Sequence, residues 1–266
     1  ENAFIQFIEK TPVIGKSLIC IDNKNIKKIL KKIKNKNILT YGFSKEANYR
    51  ISNPRYNSKY SFFDLDYKNF NNKKTKIKNV NLKLIGEHNV LNATAALAVC
   101  INLGVKINII KKALKNFSGV QRRMTKIFTK NKNEFFDDYA HHPTEISSIL
   151  SAVDKAYNNR KIITVFEPHR YSRVMSLKKA FSKSFVKSDL VLLCPLYAAG
   201  EKKNLNFNLF KFANLIAKNS KTQVVLVKNQ NELSNYFRKN LIDNEIIIGM
   251  GAGSISYWMR ELKFSI

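Results

Sequence analysis

The chain has 266 residues, 44% of them hydrophobic, enough to bury one large core or two modest ones. Lys and Arg number 47 against 19 Asp and Glu, a formal charge of +28, but the excess is spread over both halves and comes with no RNP-like motif, zinc finger or basic zipper. The composition therefore favours a lysine-coated, solvated surface over its rival from another class, a basic nucleic-acid-binding module, and no apolar run reaches the length of a transmembrane helix.

Residues 1–44 read as helix, strand, helix, strand: an amphipathic start, the run 17–21, a lysine-rich helix near 24–35, and the run 37–41 ending at Gly42. Residues 45–85, rich in Asn, Lys, Tyr and Phe, alternate as short antiparallel strands do. A small-residue helix follows Gly86 over 91–99, with Gly104 as its C-cap, and a second helix spans 107–116. After Gly119 the pattern changes. Short apolar runs at 134–136, 161–166, 190–193, 223–227 and 245–248 alternate with helical segments near 144–157, 174–186, 207–218 and 230–239. That order predicts an α/β fold with a mostly parallel, Rossmann-like sheet over 120–266, preceded by a separate α/β unit over 1–119. Ligand sites of such sheets lie at the carboxyl ends of the strands. The start, Glu1-Asn2-Ala3-Phe4, shows no signal-peptide pattern and no initiator Met, and Cys20, Cys100 and Cys194 form no CxxC pair. The expectation is a piece of a longer cytoplasmic protein with reduced cysteines.

All four histidines fall in three polar clusters. In Asp137-Asp138-Tyr139-Ala140-His141-His142-Pro143-Thr144-Glu145, two carboxylates end a strand and Thr144 or Pro143 opens a helix. The loop can offer carboxylates to a ribose or a metal, and imidazole or phenol groups to a polar substrate. Capping by Thr144 is the plainer reading, and adjacent histidines lack the spacing of a zinc site, so no metal ligands are assigned. Pro168-His169-Arg170-Tyr171-Ser172-Arg173 follows the strand 161–166. Two of the chain's nine arginines stand three residues apart there, a spacing that lets both guanidiniums face one carboxylate; intrahelical ion pairing is the alternative. In Gly86-Glu87-His88-Asn89, with Asn92 one turn on, an amide either caps the helix or matches the donor and acceptor edge of adenine. Arg122-Arg123 is balanced between a phosphate contact and a solvated linker. Gly249-Met250-Gly251-Ala252-Gly253-Ser254 reads mainly as a tight strand-to-helix turn, and Tyr197-Ala198-Ala199-Gly200-Glu201 as a strand-end loop. Nowhere does a G-x-x-x-x-G-K-[ST] phosphate loop occur.

Taken in order, the Gly86–Asn92 segment, Arg122-Arg123, the Asp137–Glu145 loop, Pro168–Arg173, Tyr197–Glu201 and Gly251-Ala252-Gly253 resemble the Mur ligase family. The resemblance runs over essentially the whole chain. It implies the latter part of the family's central ATPase domain at 1–119, without its phosphate loop, and a complete Rossmann-like C-terminal domain at 120–266. The DDYxHHPTE and PHRYxR forms resemble those of members that join L-alanine to UDP-N-acetylmuramate, an ATP-dependent ligation through an acyl phosphate in peptidoglycan precursor synthesis; a family member that reattaches a recycled peptide is the near alternative. The resemblance implies ATP and Mg²⁺, with the principal metal ligands upstream of this chain, and no nucleic-acid or membrane partner. It implies that Asn89, Asn92 and His88 lie at the adenine, Arg123 at the phosphates and Asp138 at the ribose. Tyr139 and His141 would face the reacting end, with His141 and Arg123 catalytic, and Arg170 and Arg173 would hold the amino acid's carboxylate. The piece by itself is expected to be inactive.

Overall fold

Two sheets of different character follow from two different strand patterns. The computed structural model describes residues 1–34, 37–69 and 71–266, and the chain folds as two units, Glu1–Ser118 and Gly119–Ile266.

In the first unit, β1 (Ser17–Cys20) and β2 (Ile38–Gly42) run parallel, β2 and β3 (Tyr49–Tyr56) share a short parallel contact, and β3, β4 (Ser61–Lys68) and β5 (Lys74–Leu82) form an antiparallel meander; the sheet order is β1-β2-β3-β4-β5. The strands are longer than the sequence predicts because two register shifts, at Ser52/Arg55 and Phe63/Leu65, let them continue. Asp64 sits in the second shift, buried, and accepts the Asn79 N–H and the Asn53 amide, both at 2.9 Å; Asn53 and Asn79 take the left-handed conformations that the shifts require. Helix α1 (Asn2–Glu9) and helix α2 (Lys24–Leu30) pack Ile8 and Ile29 on Ile19. The α2 helix ends earlier than expected, and residue 35, the expected end, lies outside the described residues. Helix α3 (Glu87–Asn102) lays Val90, Ala93, Leu97, Ala98 and Ile101 on Ile51, Phe63, Leu65 and Val80. Its two buried alanines, Ala93 and Ala98, keep the helix close to the sheet, so the small-residue run is a packing device. Helix α4 (Ile107–Asn116) adds Ile110 to the same core.

The second unit begins with a strand that sequence reading missed. β6 (Thr125–Lys130) pairs antiparallel with β7 (Asn133–Asp138) through Asn131 and Lys132, both left-handed, as a two-residue hairpin turn demands. β6 is an edge strand with lysines at 126 and 130 and no Asn-Gly signal, which explains the miss. The remaining strands, β8 (Ile162–Phe166), β9 (Leu190–Leu193), β10 (Gln223–Leu226) and β11 (Ile246–Met250), are parallel to β7, and the order is β10-β9-β8-β11-β7-β6. β8, β9 and β11 are buried along their whole length, which is why they read as unbroken apolar runs. Around them lie α5 (Pro143–Ala156), α6 (Tyr171–Ser176), α7 (Lys178–Phe181), α8 (Leu209–Ser220), α9 (Gln230–Asn240) and α10 (Ile255–Ser265). The helix expected over 174–186 is two short ones. Leu177, at φ −108° and ψ 15°, ends α6 and starts α7. Asparagines cap α2, α8 and α9 from positions 23, 208 and 229.

Candidate functional site

The carboxyl ends of β7, β8, β9 and β11 converge, because β11 inserts between β7 and β8, and each strand delivers one polar loop to the same edge. A continuous row of rings runs across it. The Tyr139 ring stands edge-on to His141 at 5.0 Å, His141 to His169 at 5.7 Å, and His169 stacks on Tyr197 at 5.6 Å and 11°. The guanidiniums of Arg122 and Arg123 lie 4.7 and 5.9 Å from the Tyr139 ring. Thus the structure brings Arg123, Tyr139, His141, Arg170 and Arg173 together, along with His169 and Tyr197.

The Asp137–Glu145 loop is organised by its own backbone. His142 caps α5: its Nδ1 accepts the Thr144 N–H at 3.3 Å, and the Glu145 carboxylate accepts the N–H groups of His141 and His142 at 3.0 and 3.1 Å. The cap is therefore His142 in a capping box, with Pro143 at the first helical position, and Thr144 only donates its N–H. His141 Nδ1 lies 2.7 Å from the Tyr139 carbonyl. A carbonyl only accepts, so Nδ1 carries the proton and Nε2 is left as the acceptor.

Asp138 is placed differently from a freely accessible ribose ligand. It is 0% exposed, with one oxygen accepting the Met124 N–H and the other the Ala140 N–H, both at 2.8 Å. Burial pushes its carboxyl up to about 6, ahead of the lowering effect of these two bonds and of Arg123. Its present work is to tie β7 to the segment Arg122–Met124, in which Arg122 and Met124 have positive φ.

The two neighbouring arginines have separate roles. Arg122, at φ 59°, donates to the Gly251 carbonyl at 2.6 Å and lies 3.7 Å from the buried Asp137 carboxylate, which Ser256 and Arg260 also hold, at 2.6 and 3.3 Å. It is a staple between β7, β11 and Tyr139. Arg123 is exposed, and its charge is available to an anion.

Arg170 starts α6 in a left-handed conformation, φ 68°, held by its N–H on the Tyr197 carbonyl at 2.9 Å. Such a conformation in a residue with a side chain costs about 1 kcal/mol or more and persists only where the surroundings enforce it. Arg173, one turn on, lies 3.4 Å from His169 Nδ1. A guanidinium only donates, so this nitrogen is the acceptor. Burial lowers the His169 pKa, and His141, Arg173 and Arg170 lower it further, so the ring stays neutral and the two arginines carry the local charge. Glu201 fastens the start of α6, accepting the Ser172 N–H at 3.0 Å and the Ser172 hydroxyl at 2.5 Å; these bonds lower its pKa.

Sequence reading missed Glu167. It is 2% exposed, immediately after the apolar strand β8, and accepts the Ser254 N–H at 3.1 Å and the Ser254 hydroxyl at 2.5 Å. Burial raises its pKa against the pull of these groups and of the Gly253 and Ile255 N–H groups. The signal was present: a carboxylate directly after a fully buried strand must find donors nearby.

In the first unit, His88, Asn89 and Asn92 occupy the first two turns of α3. The helix starts after Gly86 at φ 99°, and neither asparagine caps it; Asn89 donates its amide to the Ile85 carbonyl at 2.8 Å, and Asn92 is exposed. Among the described residues no cluster of three or more His, Cys, Asp or Glu could hold a metal. No helix there is long and apolar enough to cross a membrane.

A Rossmann-like sheet with arginines, imidazoles and a phenol at its carboxyl strand ends defines an α/β domain of the kind whose ligand sites lie at that edge. The comparisons give the class its name. Residues 1–100 match the Mur ligase middle domain, and residues 122–253 match the family's glutamate ligase domain. The chain belongs to the Mur ligase family. It is 49% identical over 262 residues to the UDP-N-acetylmuramate–L-alanine ligase of Pelagibacter ubique, covering 98% of this chain and 56% of that protein. It is 36% identical to the enzyme of the same name from Vesicomyosocius okutanii, of which it also covers 56%. Among solved structures, the UDP-N-acetylmuramate–alanine ligase of Thermotoga maritima superposes with a TM-score of 0.70 at 26% identity, over 85% of this chain and 47% of that one. A murein peptide ligase from Psychrobacter arcticus shares the fold, with a TM-score of 0.70 at 19% identity over 99% of this chain and 54% of that one. The chain spans about half the length of the curated relatives it matches.

Proposed function

We propose that this chain is the latter part of a cytoplasmic ligase that joins L-alanine to UDP-N-acetylmuramate in peptidoglycan precursor synthesis. The observation that carries the reading is the Arg170–Arg173 pair beside the neutral His169, at a strand edge shared with Tyr139 and His141, in a chain 49% identical to a ligase of that name. In this reading residues 1–119 are the end of a central ATP-binding domain and 120–266 the C-terminal ligase domain. ATP supplies the activation: the muramoyl carboxylate takes the γ-phosphoryl group, ADP leaves, and the alanine amine then displaces phosphate to form the amide.

The chain's own residues serve binding and proton transfer. Arg170 and Arg173 hold the amino acid's carboxylate, a planar anion suited to two guanidiniums. His141, with Nδ1 on the Tyr139 carbonyl, offers Nε2 as the acceptor for a proton from the amine, with Tyr139 beside it. Arg123 meets phosphate oxygens. The exposed Asn92 amide, with Asn89 and His88 on the same turns of α3, meets the adenine edge. Asp138 reaches a ribose hydroxyl only if the Arg122–Met124 segment releases one of its oxygens. The described residues of this chain do not fit a Mg²⁺ site, since no group of three or more His, Cys, Asp or Glu among them could hold the ion.

The test is a turnover assay on the intact protein, with all residues that precede Glu1, supplied with ATP, UDP-N-acetylmuramate and either L-alanine or a tripeptide acceptor. Formation of UDP-N-acetylmuramoyl-L-alanine supports the reading; a product with the tripeptide alone replaces it with peptide reattachment. Arg173→Ala should raise KM for L-alanine at least about tenfold while leaving KM for ATP nearly unchanged, and equal rises would remove the carboxylate clamp.

A further inference from the structure

We infer that Glu167 is a positioning residue for the arginine clamp: its carboxylate fills the anion site at the start of α10 and so fixes the turn on which the His169–Tyr197 stack rests. The inference rests on the clamp reading of Arg170 and Arg173. The Gly251-Ala252-Gly253-Ser254 turn has the form of a phosphate-binding turn, a glycine-rich strand-to-helix connection at a helix N-terminus. Here the chain's own anion occupies it. Ser254 has no side-chain cap of its own; Glu167 supplies the acceptor from outside the helix, through two bonds to Ser254, with the positive end of an 11-residue helix behind them.

The surrounding packing shows why this carboxylate reaches the clamp. The Glu167 N–H bonds the Met250 carbonyl at 2.9 Å, so strand end and side chain are both fixed to β11 and its turn. Gly251 is left-handed, at φ 157°, and a Cβ there would fall 3.0 Å from the Glu167 carbonyl; a Cβ on Gly253 would fall 2.5 Å from Glu167 Oε1 and 2.5 Å from Cγ of Tyr197. The turn is therefore wrapped on Glu167, and at Gly253 the carboxylate and the Tyr197 ring both crowd the space a side chain would take. Tyr197 in turn bonds the Pro168 carbonyl and the Arg170 N–H through its backbone, at 2.8 and 2.9 Å, and stacks on His169. Loss of the carboxylate frees the turn, then the ring, then the left-handed Arg170. Glu167 touches no ligand in this scheme; it acts through Gly253 and Tyr197.

The experiment measures KM for L-alanine, ATP and UDP-N-acetylmuramate in the intact protein carrying Glu167→Gln, Ser254→Ala or Arg173→Ala. Glu167→Gln keeps the shape and removes the charge, and should raise KM for L-alanine about tenfold with the other two constants within about twofold, the loss expected when a charge-assisted hydrogen bond is replaced by a neutral one. Ser254→Ala, which deletes one donor, should move KM for L-alanine in the same direction by about threefold. If Arg173→Ala raises this constant and the Glu167 and Ser254 variants do not, Glu167 has no positioning role and the clamp stands. If all three constants rise together in Glu167→Gln, its role is structural only and the inference fails. If Arg173→Ala is also silent, the clamp itself is wrong. Should Glu167→Gln fail to fold, the Ser254→Ala result decides.

Discussion

Replacing Asp138 by Asn should make the chain progressively more stable, relative to wild type, as pH rises from about 4 to about 7. Asp138 titrates at about 6 in the folded chain, against an ordinary value of 3.8, with burial the largest cause. A carboxyl whose folded pKa lies above its unfolded one binds more protons when folded between those two values. The contribution of Asp138 to stability is therefore greatest below 3.8 and is lost as pH rises through 6. The difference corresponds to about 3 kcal/mol of stability contributed by this one group and lost over that window. Asn does not titrate, so its curve lacks this slope. Urea unfolding of both chains at several pH values and constant ionic strength measures the difference directly. A difference that stays flat, or a wild type that gains on the variant as pH rises, would refute the reasoning; it would show that the two backbone N–H bonds outweigh burial and hold the carboxyl at or below its ordinary value.

Two further predictions concern the loops on either side. His142→Ala removes the side-chain half of the α5 capping box and should cost about 1 kcal/mol in unfolding free energy, while His141→Ala, which caps nothing, should cost less by the same denaturation assay. Arg122→Ala breaks a 2.6 Å bond to Gly251 and takes a charge from beside a carboxylate that is 0% exposed, and it should destabilise by about 2–4 kcal/mol, since Ser256 and Arg260 still satisfy part of Asp137. Arg123→Ala should change stability by less than about 0.5 kcal/mol but raise KM for ATP. A reversal of the two arginines would exchange their roles.

Much of the fold was legible because burial leaves a one-dimensional trace. Strands covered on both faces have to be apolar throughout, so β8, β9 and β11 stand out as runs, and 107–116 reads as the helix it is. The edge strand β6 carries no such trace, since one side of it meets water and lysine is tolerated there. The break at Leu177 was hidden for a different reason: leucine is a good helix former, so local propensity gives no sign of the non-helical angles it adopts.

The site divides in the same way. Residue types and order were enough to mark the clusters that hold Arg122, Arg123, His141, His142, Arg170 and Arg173, because imidazoles, guanidiniums and strand-end loops have few other reasons to cluster; the preference for Arg123 and His141 within them came from the family resemblance alone. Which of two adjacent groups is engaged by the protein's own frame and which is not was decided only in three dimensions. Arg122 is taken by Asp137 and Gly251 while Arg123 is exposed; His142 caps a helix while His141 presents a nitrogen; Asp138, chosen for a ribose, is buried under two peptide N–H groups. Glu167 and Ser254 lie 87 residues apart in sequence and meet because β11 is inserted beside β8. Sequence determines what chemistry each residue can offer. Only the tertiary structure determines whether that capacity is spent on the protein's own backbone or left for a ligand, because a hydrogen bond or a charge satisfied internally is no longer on offer.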